Sequence, residues 1–208
     1  MEFGLLHLAG TFDRYWRQEV GSDTDVLMAY ATGMPAYLVH AVVVDAVRLT
    51  DSAVPDWAIE TLWSLGTEER HVLRKEGEAA RDWLRLVSGL YQDHLRTHAP
   101  DSSTDVAPSP YVHLTGAVLD EVRLVMPLMP DPPVGPISKR YIPGVGRALE
   151  QVALQACPDL AFRFLLEALR VLGPQISRGQ FDRYRALGVE LEYDEFFVAG
   201  CYDHLVSD

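Results

Sequence analysis

Apolar residues recur at three- and four-residue steps along most of this 208-residue chain. That spacing is typical of helices that bury one face. Residues 67–98 show it most clearly, with Leu84 and Val87 on one face, and we predict a helix over this stretch. Gly77 and Gly89 are weak helix formers, so the helix could break at either.

Pro and Gly mark where further helices begin and end, since Pro is tolerated in a first turn and Gly commonly follows a last one. The additional stretches predicted to be helical are 22–33, 35–50, 51–66, 110–126, 143–156, 158–173, 177–188 and 194–206. We therefore predict an all-α bundle of about eight or nine helices.

Two stretches lack the helical period. Residues 99–110 are polar and rich in Ser, Asp and Pro, as in a linker. Residues 127–143 contain six Pro with large apolar residues, which predicts an irregular Pro-rich arm packed across the helices. We predict one helical domain over 1–208, with 1–98 and 110–208 as possible halves.

The charge argues against one large class of function. Thirty acidic residues against 18 basic ones give a net charge of −12. A nucleic-acid-binding protein needs cations to replace phosphate counterions, so we do not expect nucleic acid as a partner. Sixteen Arg against two Lys suggest a GC-rich bacterial genome.

The length of the apolar runs bears on where in the cell we expect the protein. None approaches the roughly 20 residues that cross a bilayer, so we expect no membrane partner. Glu2 stands where a secretory signal would carry a basic residue, and two cysteines make no disulfide framework. We expect a cytoplasmic protein; its oligomeric state is not predicted.

A Gly-x-Gly sequence near three cations is a candidate anion site. It lies at 144–146, where a helix is predicted to begin, close to Lys139, Arg140 and Arg147. Exposed amides at a helix start bind phosphate or carboxylate groups. The third glycine and preceding strand of a dinucleotide site are missing, so an ordinary helix start is the competing interpretation.

Two histidine spacings are candidate metal sites. Glu68 and His71 are three apart in what would be the first turn of the 67–98 helix, like half of a di-metal carboxylate site. His94 and His98 lie four apart on one predicted face, a spacing that can bind zinc. No second Glu-x-x-His and no third zinc ligand follow, so we predict no metal and no cofactor.

The two cysteines are candidate nucleophiles. Cys201 lies three residues before His204, and Cys157 precedes a Pro at a predicted helix start, where the helix dipole can lower a thiol pKa. Nothing nearby marks an oxyanion site or a third orienting group. The sequence favours two small core residues, although reactivity of either thiol is left open.

The segment 189–208 combines six carboxylates with many aromatic residues and contains no Lys or Arg. A helix over 194–206 would place Phe197 and Cys201 on one face and Phe196 elsewhere. One interpretation is a docked helix with a solvated acidic rim. The other is a contact surface with aromatic anchors inside an acidic ring. Its predicted partner-binding residues are Glu190, Glu192, Asp194, Glu195, Phe196, Tyr202 and Asp203.

These patterns predict a non-enzymatic, acidic interaction protein, of the kind that neutralises a basic toxin or nuclease as bacterial immunity proteins do. The alternative is a helical enzyme or small-anion-binding protein with a pocket between the bundle and the Pro-rich arm. That pocket would use Trp83, His113, Arg140, Tyr141 and Arg147.

Overall fold

A computed structural model describes residues 4–12, 21–73, 79–100, 105–128, 142–193, 195–200 and 205. Within these ranges the chain forms ten α-helices and no strand, which confirms the all-α prediction. They are α1 Leu5–Gly10, α2 Asp23–Gly33, α3 Ala36–Thr50, α4 Asp56–Gly66, α5 Ala80–His98, α6 Thr115–Val125, α7 Val145–Gln155, α8 Pro158–Leu172, α9 Arg178–Glu190 and α10 Glu195–Ala199. Val112–Leu114 and Met126–Leu128 are short 3-10 helices.

The contacts divide the chain into two compact units, Glu2–Pro108 and Ser109–Asp208. In the N-terminal unit, α3 packs along α5, and the shorter helices α1, α2 and α4 add to this pair. Val42, Val43 and Val87 are fully buried. The apolar face predicted from the spacing of residues in 35–50 and 80–98 is therefore the core of this unit.

The C-terminal unit is arranged around α8, which is buried on nearly every side. Helices α6 and α7 pack against α8, while α9 contacts both α6 and α10. Pro158 lies in the first turn of α8, and Gly173 ends the helix in the left-handed conformation, with φ 64°. These are the roles predicted for both residues, because Pro suits a helix start and Gly accepts positive φ.

The predicted helix over 67–98 is wrong in its first part. Thr67–Glu69 form a turn, and Glu68 and Glu69 have φ values of 51° and 62°. The helix begins only at Ala80 and then runs through Gly89 without a break. The turn is held locally, because the Glu69 amide donates to the Ser64 carbonyl at 2.7 Å.

The predicted helix over 194–206 is also too long. It ends at Ala199, and Gly200 lies in a turn. Gly costs about 1 kcal/mol relative to Ala inside a helix, which favours an end at this position. Leu205 instead forms an isolated bridge with Ile176.

Other predictions concern stretches that are described only in part. Residues 129–141 of the Pro-rich arm and 101–104 of the linker lie outside the described residues. The single domain with two possible halves stays a prediction. Among the described residues, no helix is long and apolar enough to cross a membrane.

Candidate functional site

The acidic segment that follows α9 is anchored by aromatic residues. The Tyr193 ring stacks on Phe162 of α8 with centroids 6.3 Å apart, and Phe197 lies 4.4 Å from Tyr193. Val198 packs so closely on α9 that a Cβ added to Gly188 would lie 2.8 Å from Val198 Cγ2. These contacts fix α10 on the C-terminal unit.

We call the contacts of Tyr193, Phe197 and Val198 the anchor. It includes a hydrogen bond to a buried carboxylate. The Tyr193 hydroxyl donates to Asp159 Oδ1, while Arg163 Nη2 donates to Asp159 Oδ2 at 3.1 Å. Asp159 is 6% exposed and Arg163 1% exposed. Because a buried charge is costly unless it is paired and hydrogen-bonded, each of these groups depends on the others.

Four side chains of α9, the turn and α10 are exposed to solvent. Val189 is 76% exposed and Phe196 is 73% exposed. Glu190 and Glu192 are exposed beside them in the chain. We call Val189, Glu190, Glu192 and Phe196 the tail surface.

A cavity of about 380 Å³ lies where α9 meets the segment leading into α10. Its main lining residues are Asp182, Arg185, Ala186, Val189, Tyr193 and Val198. Tyr193 and Val198 belong to the anchor and Val189 to the tail surface, so the cavity lies between buried and exposed parts of the segment. It is large enough to receive a side chain of a partner.

The backbone turns sharply between α9 and α10. Glu192 has φ 61°, and the Tyr193 amide donates to the Gly188 carbonyl at 2.8 Å. The Tyr111 hydroxyl donates to Glu192 Oε2 at 3.3 Å. The turn thus holds Glu192 near the protein surface while directing Tyr193 inward.

The other predicted partner-binding residues are only partly located. Glu195 begins α10, whereas Asp194, Tyr202 and Asp203 lie outside the described residues. The same is true of Cys201 and His204. Their predicted roles stay predictions.

The structure describes only one of the three basic residues of the candidate anion site. Arg147 is exposed in the first turn of α7, while Lys139 and Arg140 lie outside the described residues. Each glycine has a structural role: Gly144 has φ 80°, and a Cβ on Gly146 would lie 2.2 Å from Met126 Cγ. Close packing and a left-handed cap therefore account for the Gly-x-Gly pattern.

The pocket of the alternative function stays a prediction, and the structure locates two more of its residues. Trp83 is a core residue of the N-terminal unit, where its ring lies 4.4 Å from Trp63 and 6.4 Å from Phe12. His113 is exposed in a 3-10 helix, and Tyr141 lies outside the described residues.

His71 is buried and engaged at both ring nitrogens. Trp63 Nε1 donates to Nδ1 at 3.0 Å, and Nε2 lies 3.3 Å from Asp23 Oδ2. Because an indole can only donate, Nδ1 must accept, and the proton of the neutral ring is on Nε2. His71 therefore links the turn after α4 to α2.

Glu68 and His71 do not lie in a helix, so the helical spacing on which the predicted metal motif rested is wrong. Glu68 forms an ion pair with Arg70 at 2.7 Å, outside any helix. Within the described ranges, no group of three or more His, Cys, Asp or Glu side chains could hold a metal ion. His94 and His98 do share a face of α5, with ring centroids 4.6 Å apart.

Cys157 is a buried helix cap. Its sulfur accepts a hydrogen bond from the Leu160 amide at 3.4 Å, and the residue is 1% exposed. This agrees with the interpretation of a small core residue, because a nucleophile must be reached by its substrate.

Sequence reasoning missed Asp159 and Arg163. In the sequence, Asp159 resembles an ordinary acid in a first helical turn. The available signal was an Asp–Arg pair four residues apart within an otherwise apolar helix, because such a pair shares one face.

Comparison with protein-family models, with curated proteins and with solved structures found no match. The described geometry is therefore the basis of the functional argument.

Proposed function

We propose that this protein binds a basic protein through the tail surface, as an inhibitor of a toxin or nuclease would. The observation that carries the proposal is the exposure of Val189 and Phe196 beside the carboxylates Glu190 and Glu192. Apolar side chains exposed together within a polar rim are typical of interaction sites. Aromatic side chains supply much of the binding energy at such sites.

Charge supports a basic partner. The segment 189–208 contributes six carboxylates and no Lys or Arg to a chain of net charge −12. An acidic rim attracts a cationic surface over several ångströms and increases the rate of encounter. A nuclease or toxin that acts on nucleic acid carries such a cationic surface, because it must bind phosphate.

The rigid support beneath the tail surface also favours binding. Tyr193 and Val198 fix α10 before any partner arrives. A prearranged surface loses less conformational entropy on association, so more of the contact energy contributes to affinity. Phe196 would provide a rigid aromatic contact, and the adjoining cavity would accept an apolar side chain of the partner.

The experiment compares two double variants that change the net charge equally. Glu190→Lys/Glu192→Lys alters the tail surface, and Asp93→Lys/Asp120→Lys alters exposed positions elsewhere. Each raises the net charge by +4 from −12. The partner has first to be identified, and any small basic protein that a neighbouring gene encodes is the first probe to use, with association measured by surface plasmon resonance at low salt.

We expect the tail double variant to slow association about tenfold or more and to weaken its dependence on salt. The control double variant should have a much smaller effect. Equal association rates for the two variants would show that net charge alone matters and would contradict the proposed site.

The alternative anion-binding function rests on Lys139, Arg140 and Tyr141, which lie outside the described residues. Among the described residues, only Arg147 and His113 could contribute to it. It stays a prediction, tested by whether inorganic phosphate raises the melting temperature of the wild-type protein but not of Arg147→Ala.

A further inference from the structure

A second cavity, of about 300 Å³, lies within the N-terminal unit where the end of α2 meets the end of α5. Both His94 and His98 line it, as does Met34 from the residue that follows α2. No Asp or Glu is among its described lining residues. Two His and one Met, and no acidic residue, are thus among the described residues that line this cavity.

The two imidazoles are close enough to bind one ion. Their centroids are 4.6 Å apart, with the ring planes inclined by 38°. With metal–nitrogen distances of about 2.0–2.1 Å, each centroid would lie roughly 3.2 Å from a shared ion. Two centroids 4.6 Å apart would then subtend roughly 90° at the ion, an angle that two adjacent ligands can adopt.

The histidines are also accessible and able to bind. His98 is exposed and His94 half-buried, so an ion can enter from solvent. Partial burial, together with the neighbouring His98, lowers the pKa of His94.

The fold supplies the third ligand that the sequence alone did not indicate. Met34 is 60 positions before His94 in the chain, yet it lines the same cavity. Its unbranched side chain has three rotatable bonds, so the sulfur can take several positions within the cavity. Thioether ligands favour copper(I), whereas Mg²⁺ and Ca²⁺ require oxygen ligands.

We propose that His94, His98 and Met34 form a binding site for one copper(I) ion. The three side chains provide two nitrogens and one sulfur around a single cavity. The site belongs to the N-terminal unit and uses none of the residues of the tail surface, so it does not depend on the proposed protein partner.

The test is competition for copper(I) with the chromophoric chelator bicinchoninate under anaerobic reducing conditions. The protein carries no histidine tag, and a Cys201→Ser background removes one competing thiol. We expect one equivalent of bound copper(I). His94→Ala and His98→Ala should each weaken binding by about 100-fold, whereas the exposed His113→Ala should leave it unchanged.

Met34→Leu separates this proposal from a simple histidine pair. It should weaken copper(I) binding about tenfold or more and leave zinc binding unchanged, since zinc does not require the thioether. Circular dichroism checks that each variant remains folded. The proposal is overturned if the wild type fails to compete for copper(I), if Met34→Leu binds it normally, or if zinc is held more tightly.

Discussion

Two segments of this protein turn back after a helix in similar ways. The turn after α4 places His71 against Asp23, and the turn after α9 places Tyr193 against Asp159. Both contain Glu residues with positive φ, and both place a ring against an acid of another helix. In each case charged residues stay outward while one ring anchors the segment.

The segments differ in what they leave exposed. After His71, Val72 is exposed at 62%, but Leu73 beside it is buried. After α9, Val189 and Phe196 are both exposed, next to two carboxylates and a cavity. The described part of the first segment thus contributes His71 and Leu73 to the core, whereas the second combines an anchor with the exposed side chains on which the proposed partner binding rests.

The largest effect is predicted for a substitution that breaks the second anchor, the contact between Tyr193 and Asp159. Asp159→Ala should reduce the free energy of unfolding by about 3–5 kcal/mol, because it removes a buried carboxylate that accepts hydrogen bonds from both Arg163 and Tyr193. Denaturant unfolding measures the loss. The exposed ion pair of Asp182 with Arg178 provides the control, and Asp182→Ala should cost less than about 1 kcal/mol. Similar losses for the two variants would contradict the anchor.

A smaller loss of unfolding free energy is expected at the first anchor, the contact of His71 with Trp63 and Asp23. His71→Ala should cost about 2–3 kcal/mol, because it leaves the Trp63 indole nitrogen unsatisfied and removes buried contacts. The loss should be smaller than that at Asp159, since Asp23 retains 17% exposure and can be hydrated. A loss below about 0.5 kcal/mol in thermal or chemical unfolding would show that His71 does not hold its turn.

The packing of α10 on α9 gives the third prediction. Gly188→Ala should destabilise the protein by about 1–2 kcal/mol, because its Cβ would press on Val198. Val198→Ala in the same chain should recover part of that loss by removing the obstructing methyl groups. A double-mutant cycle that shows no coupling would mean that the two residues are not in tight contact.

Sequence patterns were reliable where one face of a helix is buried. The apolar spacing predicted α3 well, because burial there follows the helical period. The Pro and Gly signals located the ends of α8, which is buried on nearly every side. These patterns failed at 67–73, where His71 and Leu73 are buried outside any helix. Local spacing cannot reveal this burial, since Phe12 and Trp83 come from distant parts of the chain.

The candidate sites show the same limit. The acidic and aromatic composition drew attention to 189–208, but it could not separate the half-buried, hydrogen-bonded Tyr193 from the exposed Phe196. The His94–His98 pair was recognisable from its spacing. Met34 was not, because only the fold brings the end of α2 to this cavity.

The measurement that tests the tail surface most directly compares Phe196→Ala with Leu154→Ala, an exposed apolar residue of α7. Both should leave the free energy of unfolding within about 0.5 kcal/mol of wild type, as exposed substitutions usually do. Only Phe196→Ala should raise the dissociation rate of the basic partner, by about tenfold or more. If Phe196→Ala unfolds the protein, or releases the partner no faster than Leu154→Ala, the tail surface is not the binding site.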